Sequence, residues 1–311
     1  MHGSRPKTAF VLAGGGSYGA VQVGMLRALA AHGVVPDLVT GSSVGAINGA
    51  FFAGRPDPDG TRELEQLWHQ LRRSDIFSIG LRGLRAAFAG GNSFFEPLGL
   101  RRLLQKHLPY ERLEESAIPI YVVATDLLTG GQVHLRRGAA VDAILASCAI
   151  PGIYPPVHID GRALIDGAVA CNTPIRTAID AGATRLVLLP TAFACPRATP
   201  PRGVFANAFH AMDLMVMQQL VHETAEFAAR AQIVTVPPIC PVAASPYDFS
   251  NARRLIDLAA TSTERWLERN GLGDGGPMPA ASAAAMDDGS CGAELPTCPS
   301  DDPAFARSTS L

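Results

Sequence analysis

Ser43 lies in Gly41-Ser42-Ser43-Val44-Gly45, a G-x-S-x-G pattern, and it is the side chain best placed by its neighbours for nucleophilic chemistry. Leu38-Val39-Thr40 precedes it as a short strand-forming run, and Ala46 to Ala53 follows as a small-residue helix. The order is therefore strand, sharp turn, helix. A turn this tight strains the backbone of its central residue, and a side chain two positions to either side would strike neighbouring backbone. Glycine at Gly41 and Gly45 removes that clash and leaves the Ser43 hydroxyl at the tip, above the positive end of the helix. A serine acting as nucleophile needs such a place, because its alkoxide must be partly stabilised as it forms. Alone the pattern says little, since Gly and Ser are common in loops.

Two further stretches supply what acyl transfer requires. Gly14-Gly15-Gly16-Ser17-Tyr18-Gly19 follows the apolar run Thr8 to Ala13 and opens a helix. Consecutive glycines let bare backbone N–H groups approach a ligand oxygen, with Gly15 and Gly16 as expected oxyanion donors and Ser17 as a third. One such donor is worth about 3 kcal/mol in the transition state. Asp166-Gly167-Ala168 ends the run Ala163-Leu164-Ile165. There Asp166 can accept the serine proton directly if burial raises its proton affinity. Ser43 would then attack an ester carbonyl.

Rival chemistries make their own demands on these residues. Gly14, Gly16 and Gly19 also match a dinucleotide fingerprint, which expects an acidic residue at the end of the second strand, about 20 residues on. That strand ends in Val39-Thr40-Gly41-Ser42-Ser43, and Asp37 lies at its wrong end. A Ser-His-Asp triad would need a downstream histidine in a loop after a strand. His210 and His222 fall in a helical stretch, and His158 reads as a strand residue beside the Asp160-Gly161 hairpin turn. Asp126 ends a strand and is given no role.

The elements that must position these residues alternate between strand and helix. Thr8 to Ala13 reads as a buried strand. A helix spans Ala20 to His32 with Gly33 as its C-cap, and the strand entering the serine turn comes next. A strand, crossover helix and strand within about 45 residues is a βαβ unit, which implies a parallel sheet. Thr61 to Arg73 reads as a polar, exposed helix capped by Thr61. Pro119 to Thr125 and Gly131 to Leu135 are expected strands, and Val141 to Ala149 a small-residue helix. Val157 to Ile159 and Ala163 to Ile165 form a hairpin. Strands at Arg185 to Leu189 and Ile233 to Val236 flank a long helix over Phe205 to Ala231. Asn251 to Arg269 is a final amphipathic helix. The expected fold is α/β, a three-layer αβα sandwich around a mainly parallel central sheet.

Residues 76–100 interleave Ile76, Phe77, Phe88, Phe94 and Phe95 with Arg82 and Arg85. They are read either as a flap or acyl channel touching a membrane surface, or as an irregular helical insertion packed on the sheet. From about residue 271 the chain turns to Gly, Ala, Pro, Ser and Asp, so an acyl hydrolase domain over 1–270 and a disordered tail over 271–311 are expected.

The 311 residues are 47% apolar, enough for one large α/β core, and the net charge of −2 gives no support for a nucleic-acid partner. Six cysteines are scattered without a C-x-x-C pair, which points to reduced thiols rather than a zinc site or disulfide framework. The apolar run after the N-terminus ends in a glycine loop, too short for a signal peptide. No run reaches the roughly 18 apolar residues of a membrane span. A cytoplasmic chain, or one peripheral to a membrane, is the expectation. No cofactor is implied, and no metal, since clustered carboxylates are not visible. The oligomeric state is not readable.

The three motifs in this order resemble those of the patatin-like phospholipase family: G-x-G-x-x-G at Gly14 to Gly19, G-x-S-x-G at Gly41 to Gly45, and D-G-[AG] at Asp166 to Ala168. Ala146 to Pro151, with Pro155-Pro156, is similar to the family's segment before the aspartate, and Asn172-Thr173-Pro174 to the one after it. The resemblance covers about residues 8 to 270. It implies a Ser43–Asp166 dyad without histidine, hydrolysing lipid acyl esters. One departure is Tyr18, where many members carry a basic residue. The backbone donors do not depend on that side chain, but a contact to a phospholipid headgroup would. A catalytically inactive lipid-binding protein and a Ser-His-Asp esterase of α/β-hydrolase type are the rival readings.

Overall fold

The computed structural model of the chain describes residues 6–72, 76, 97–191, 203–239 and 248–273, without the side chains of 204–206, 208–210 and 212–213. In chain order the elements are β1 (Thr8–Leu12), α1 (Gly19–Ala31), β2 (Leu38–Ser42), α2 (Val44–Gly54), α3 (Pro58–Gln70), α4 (Leu98–His107), β3 (Ile120–Asp126), β4 (Gln132–Leu135), α5 (Ala140–Ser147), β5 (Val157–Ile159), β6 (Arg162–Ile165), α6 (Ile175–Asp180), β7 (Arg185–Leu189), α7 (Val204–Phe227), β8 (Gln232–Thr235) and α8 (Ala252–Glu268). Of the expected flap over 76–100, residues 77–96 lie outside the described residues. So does the expected tail beyond residue 273.

The strands join one sheet in the order β5-β6-β3-β2-β1-β7-β8, with β4 also on β3. The five strands from β3 to β8 along this path run parallel. Pairings of β3 with β4, β3 with β6 and β5 with β6 are antiparallel. A mainly parallel sheet buried on both faces needs strands apolar on both faces, and β1 is buried at all five positions. Its side chains alternate between two cores. Phe10 and Leu12 pack with α1, α2, α3, α5 and α8. Ala9 and Val11 face the other way, against Ile175 and Ala178 of α6 and Leu220 and Phe227 of α7. Helices therefore cover both faces of the sheet.

Register explains how distant motifs meet. Val122 and Val123 of β3 pair with β2 on one edge and β4 on the other. Thr125 pairs with β4 and with β6. β6 must therefore occupy the β2 edge of β3, in the space just past the end of β2. The residue after β6 is Asp166, and the residue after β2 is Ser43.

A polar network stitches this end of the sheet to the helical layer. Gln22 Nε2 donates to the carbonyls of Ala13 (2.8 Å) and Leu189 (2.9 Å) at the ends of β1 and β7. Asn48 Nδ2 donates to Gly19 O and Gln22 Oε1, and Trp68 Nε1 donates to Asn48 Oδ1 at 2.9 Å. All three side chains are essentially fully buried. Asn48→Ala leaves the indole N–H without its acceptor, and urea unfolding is expected to show a loss of about 2–3 kcal/mol.

Two local expectations are corrected. The cap of α3 is Asp57, whose side chain accepts from Gly60 N with Pro58 at the first helical position, a favoured start. Thr61 is instead a buried residue of the first turn, bonding Pro58 O. The helix is also not exposed all round, because Leu64, Leu67 and Trp68 form a stripe at helical spacing that packs into the core. Gly33, with φ +69°, ends α1 as expected: Gly33 N donates to Ala30 O and Val34 N to Leu29 O, a Schellman arrangement.

Candidate active site

β1 and β2 are parallel neighbours with Leu12 beside Gly41, so the loops leaving them emerge side by side at the carboxyl edge of the sheet. That edge is the usual ligand edge of an open α/β sheet. Close packing there depends on glycine. A β-carbon on Gly45 would come within 2.3 Å of Leu12 O, and one on Gly41 within 2.4 Å of Gly45 O. The strand, turn and helix can close only because both are bare.

At the turn, Ser43 has φ 52° and ψ −124°, a conformation that costs a residue with a β-carbon about 1–3 kcal/mol. Neighbouring structure holds it there. Its amide donates to Ser147 Oγ at 2.9 Å, and that hydroxyl donates to Val123 O at 2.5 Å. Its carbonyl accepts from Ala46 N and Ile47 N of α2. The Ser43 hydroxyl is thus carried at the N-terminus of α2 on a rigid support.

Ser43 Oγ donates to Asp166 Oδ2 at 2.7 Å, across 123 residues of chain. The other carboxylate oxygen, Oδ1, accepts from Ala168 N at 2.8 Å. Thr125 Oγ1 fastens the turn by donating to Asp166 O at 2.8 Å and accepting from Ala170 N. Asp166 N in turn donates to Ala149 O, just past α5. Gly167 passes so close to β3 that a β-carbon would lie 2.1 Å from Val123 O. Asp166 is 4% exposed. Burial pushes its carboxyl up to about 6, against the opposing pull of the bonds from Ser43 and Ala168.

The glycine loop lies against both residues. A β-carbon on Gly14 would come within 3.3 Å of Ser43 Cβ and 3.4 Å of Ala168 Cβ. Gly14 N donates to Asn172 O at 3.1 Å, tying this loop to the segment after Asp166. Gly15 and Gly16 are half-buried. Among the described residues their amides have no hydrogen-bond acceptor. Ser17 is buried within the short 3-10 turn Gly16–Tyr18. Half-buried Tyr18 closes that turn through its amide to Gly15 O, and Gly19 starts α1. A β-carbon on Gly19 would strike Val44 of α2.

The histidines are elsewhere. His158 is exposed on β5 and His222 is exposed on α7. His210 is also in α7, and its side chain is outside the described residues. Among the described residues no histidine bonds Ser43 or Asp166. Asp126 is a turn residue, its carboxylate accepting from Leu128 N and Thr129 N. Asp160, at φ 47°, is the first residue of the β5–β6 hairpin turn. Among the described residues no group of three His, Cys, Asp or Glu side chains could hold a metal ion. No described helix is long and apolar enough to cross a membrane. Ser147, Thr125 and Asn172 brace the site. Ser147 and Asn172 lie in the stretches already singled out on either side of Asp166, but nothing in those stretches signals the bracing bonds, and nothing in the context of Thr125 distinguishes it.

The family model for patatin-like phospholipase matches residues 10–179, more than half of the 311-residue chain, from within β1 through the Asp166 turn. The chain belongs to the patatin-like phospholipase family. It is 33% identical over 165 residues to an uncharacterized NTE family protein of Mycobacterium tuberculosis, a match covering 53% of this chain and 27% of that protein. It is 30% identical over 183 residues to patatin-like phospholipase domain-containing protein 7 of Mus musculus, covering 58% of this chain and 13% of that one. The chain therefore spans well under half the length of these relatives. Human GIVD cytosolic phospholipase A2, in complex with a methyl gamma-linolenyl fluorophosphonate inhibitor and terbium chloride, aligns in structure with a TM-score of 0.51. It is 13% identical, covering 91% of this chain and 60% of that chain. The likeness is one of fold: a central sheet flanked by helices.

Proposed function

We propose that this chain is a serine acyl hydrolase cleaving fatty-acyl esters of lipids through Ser43, Asp166 and the Gly15 and Gly16 amides. The observation that carries the reading is the 2.7 Å bond from the Ser43 hydroxyl to a buried carboxylate. Membership of a lipase family supports the substrate class. Ser43 Oγ attacks the ester carbonyl carbon while its proton passes to Asp166 Oδ2. Negative charge moves to the carbonyl oxygen, where the Gly15 and Gly16 N–H groups, with Ser17 as a third donor, stabilise it. Collapse of this intermediate breaks the carbon–oxygen bond to the alcohol, which leaves with the proton from Asp166. Water then attacks the acyl-serine, giving its proton to Asp166, and the fatty acid is released as Ser43 recovers its proton.

A carboxyl near its ordinary value would be a feeble base. Raised to about 6, Asp166 is ionised at neutral pH yet holds a proton more strongly than an exposed aspartate. The expected kcat/KM for p-nitrophenyl esters therefore falls about tenfold per pH unit below about pH 6, where the base is protonated, and is level above about pH 7. The acyl series from acetate to palmitate should show rates rising with chain length. Wild-type protein inactive on every ester, including those presented in lipid vesicles, would overturn the reading.

A further inference from the structure

Thr191 follows β7 and Pro190 and is 5% exposed. Its Oγ1 donates to Gly14 O at 2.7 Å. The next atom along is the Gly15 nitrogen, and a trans peptide holds its C=O and N–H in one plane pointing opposite ways. Anchoring Gly14 O therefore aims the Gly15 N–H away from Thr191. The other end of the loop is equally constrained, because Gln22 holds Ala13 O and Asn172 O holds Gly14 N. Among the described residues, the hydrogen bond that holds the Gly14–Gly15 peptide itself against rotation is the one from Thr191. The residue also sits where Gly15 needs to be bare: a β-carbon there would lie 2.1 Å from Thr191 Oγ1. A carbonyl that accepts a hydrogen bond also polarises its own peptide, making the attached N–H a stronger donor.

We propose that Thr191 is a positioning residue for the oxyanion hole, an inference that rests on the acyl-hydrolase reading above. Its hydroxyl sets the direction and donor strength of the Gly15 amide toward the oxyanion, without itself touching the substrate. A merely structural threonine would lower stability or affect every ligand alike. An oxyanion anchor affects only species carrying the developing charge.

Thr191→Val keeps the shape and removes the hydroxyl. Valine is more informative than alanine because a cavity of about 20 Å³, room for one water, borders Thr191. Alanine would enlarge it and let a water replace the lost bond. In the full chain, kcat for a p-nitrophenyl ester is expected to fall about 10- to 100-fold with KM within about twofold, less than outright removal of a donor. Affinity for a trifluoromethyl ketone, whose serine adduct carries an oxyanion, should fall by a similar factor. Affinity for a non-reacting ether analogue should hold, and Thr191→Ser should restore most of the rate. If valine prevents folding, Thr191→Cys carries the test, with an intermediate loss expected from its weak S–H donor. Unchanged kcat and ketone affinity in a folded variant, beside an active wild type and a dead Ser43→Ala, would overturn the inference alone. An inactive wild type would overturn the acyl-hydrolase reading and the inference with it.

Discussion

Ser43→Ala is expected to lower kcat/KM for fatty-acyl esters by about 10⁴-fold or more, the scale seen when a serine hydrolase loses its nucleophile. The fold should survive. Alanine fits the space, and the Ser43 backbone is held by bonds that do not involve its hydroxyl, to Ser147 and to the first turn of α2. The lost contact is the single hydrogen bond to the Asp166 carboxylate, worth about 1.5–3 kcal/mol net. Ester hydrolysis and labelling by a fluorophosphonate probe, measured beside thermal unfolding, separate the two effects. Full activity in the variant would end the proposed mechanism. Loss of labelling with a cooperative melting curve lowered by only a few degrees is the result expected.

Asp166→Asn should make the protein inactive and more stable together. A carboxyl raised from 3.8 to about 6 on folding binds its proton more tightly in the folded chain than in the unfolded one. The sign follows: folding takes up a proton, so this group contributes nothing adverse below pH 3.8. Its destabilisation grows as pH rises through the interval to about 6 and is constant above it. Each pKa unit corresponds to about 1.4 kcal/mol, so at pH 8 the burden is on the order of 1–3 kcal/mol. Asparagine carries no charge to bury. Its amide nitrogen can donate to Ser43 Oγ and its oxygen can accept from Ala168 N, replacing both native bonds. The expected stability gain by urea unfolding is therefore on the order of 1–3 kcal/mol at pH 8 and close to zero at pH 4. A variant less stable than wild type at pH 8 would show that burial does not raise this carboxyl. The exchange is typical of active sites, where a group is held in a form that folding alone disfavours.

Much of the architecture was legible from residue pattern. The buried β1 run, the glycine turn, the serine turn and the D-G-A turn are local signals, each stating what its own backbone must do. The Gly33 cap and the Asp160-Gly161 hairpin are equally local, because a left-handed backbone position selects its residues nearly without context. The misjudged helix at Pro58–Gln70 shows the limit. Its composition is polar, but Leu64, Leu67 and Trp68 recur on one face, and that face decides burial. Asp57 and Thr61 are both plausible caps, and only the position of the first turn separates them.

Residue pattern alone was enough to single out the groups of the proposed mechanism and the turns that carry them: Ser43 on a strained strand-to-helix turn, the Gly15 and Gly16 amides in a glycine turn, and a carboxylate after a strand. Their meeting is a tertiary matter. Ser43 and Asp166 reach 2.7 Å because β6 occupies the edge of β3 that β2 vacates, a register no local pattern encodes. The shift of Asp166 to about 6 likewise comes from burial beneath loops distant in the chain. Ser147, Thr125, Asn172 and Thr191 act through hydrogen bonds to backbone atoms far away in sequence. Such bonds depend on direction and distance rather than on residue type, so only the folded chain reveals them.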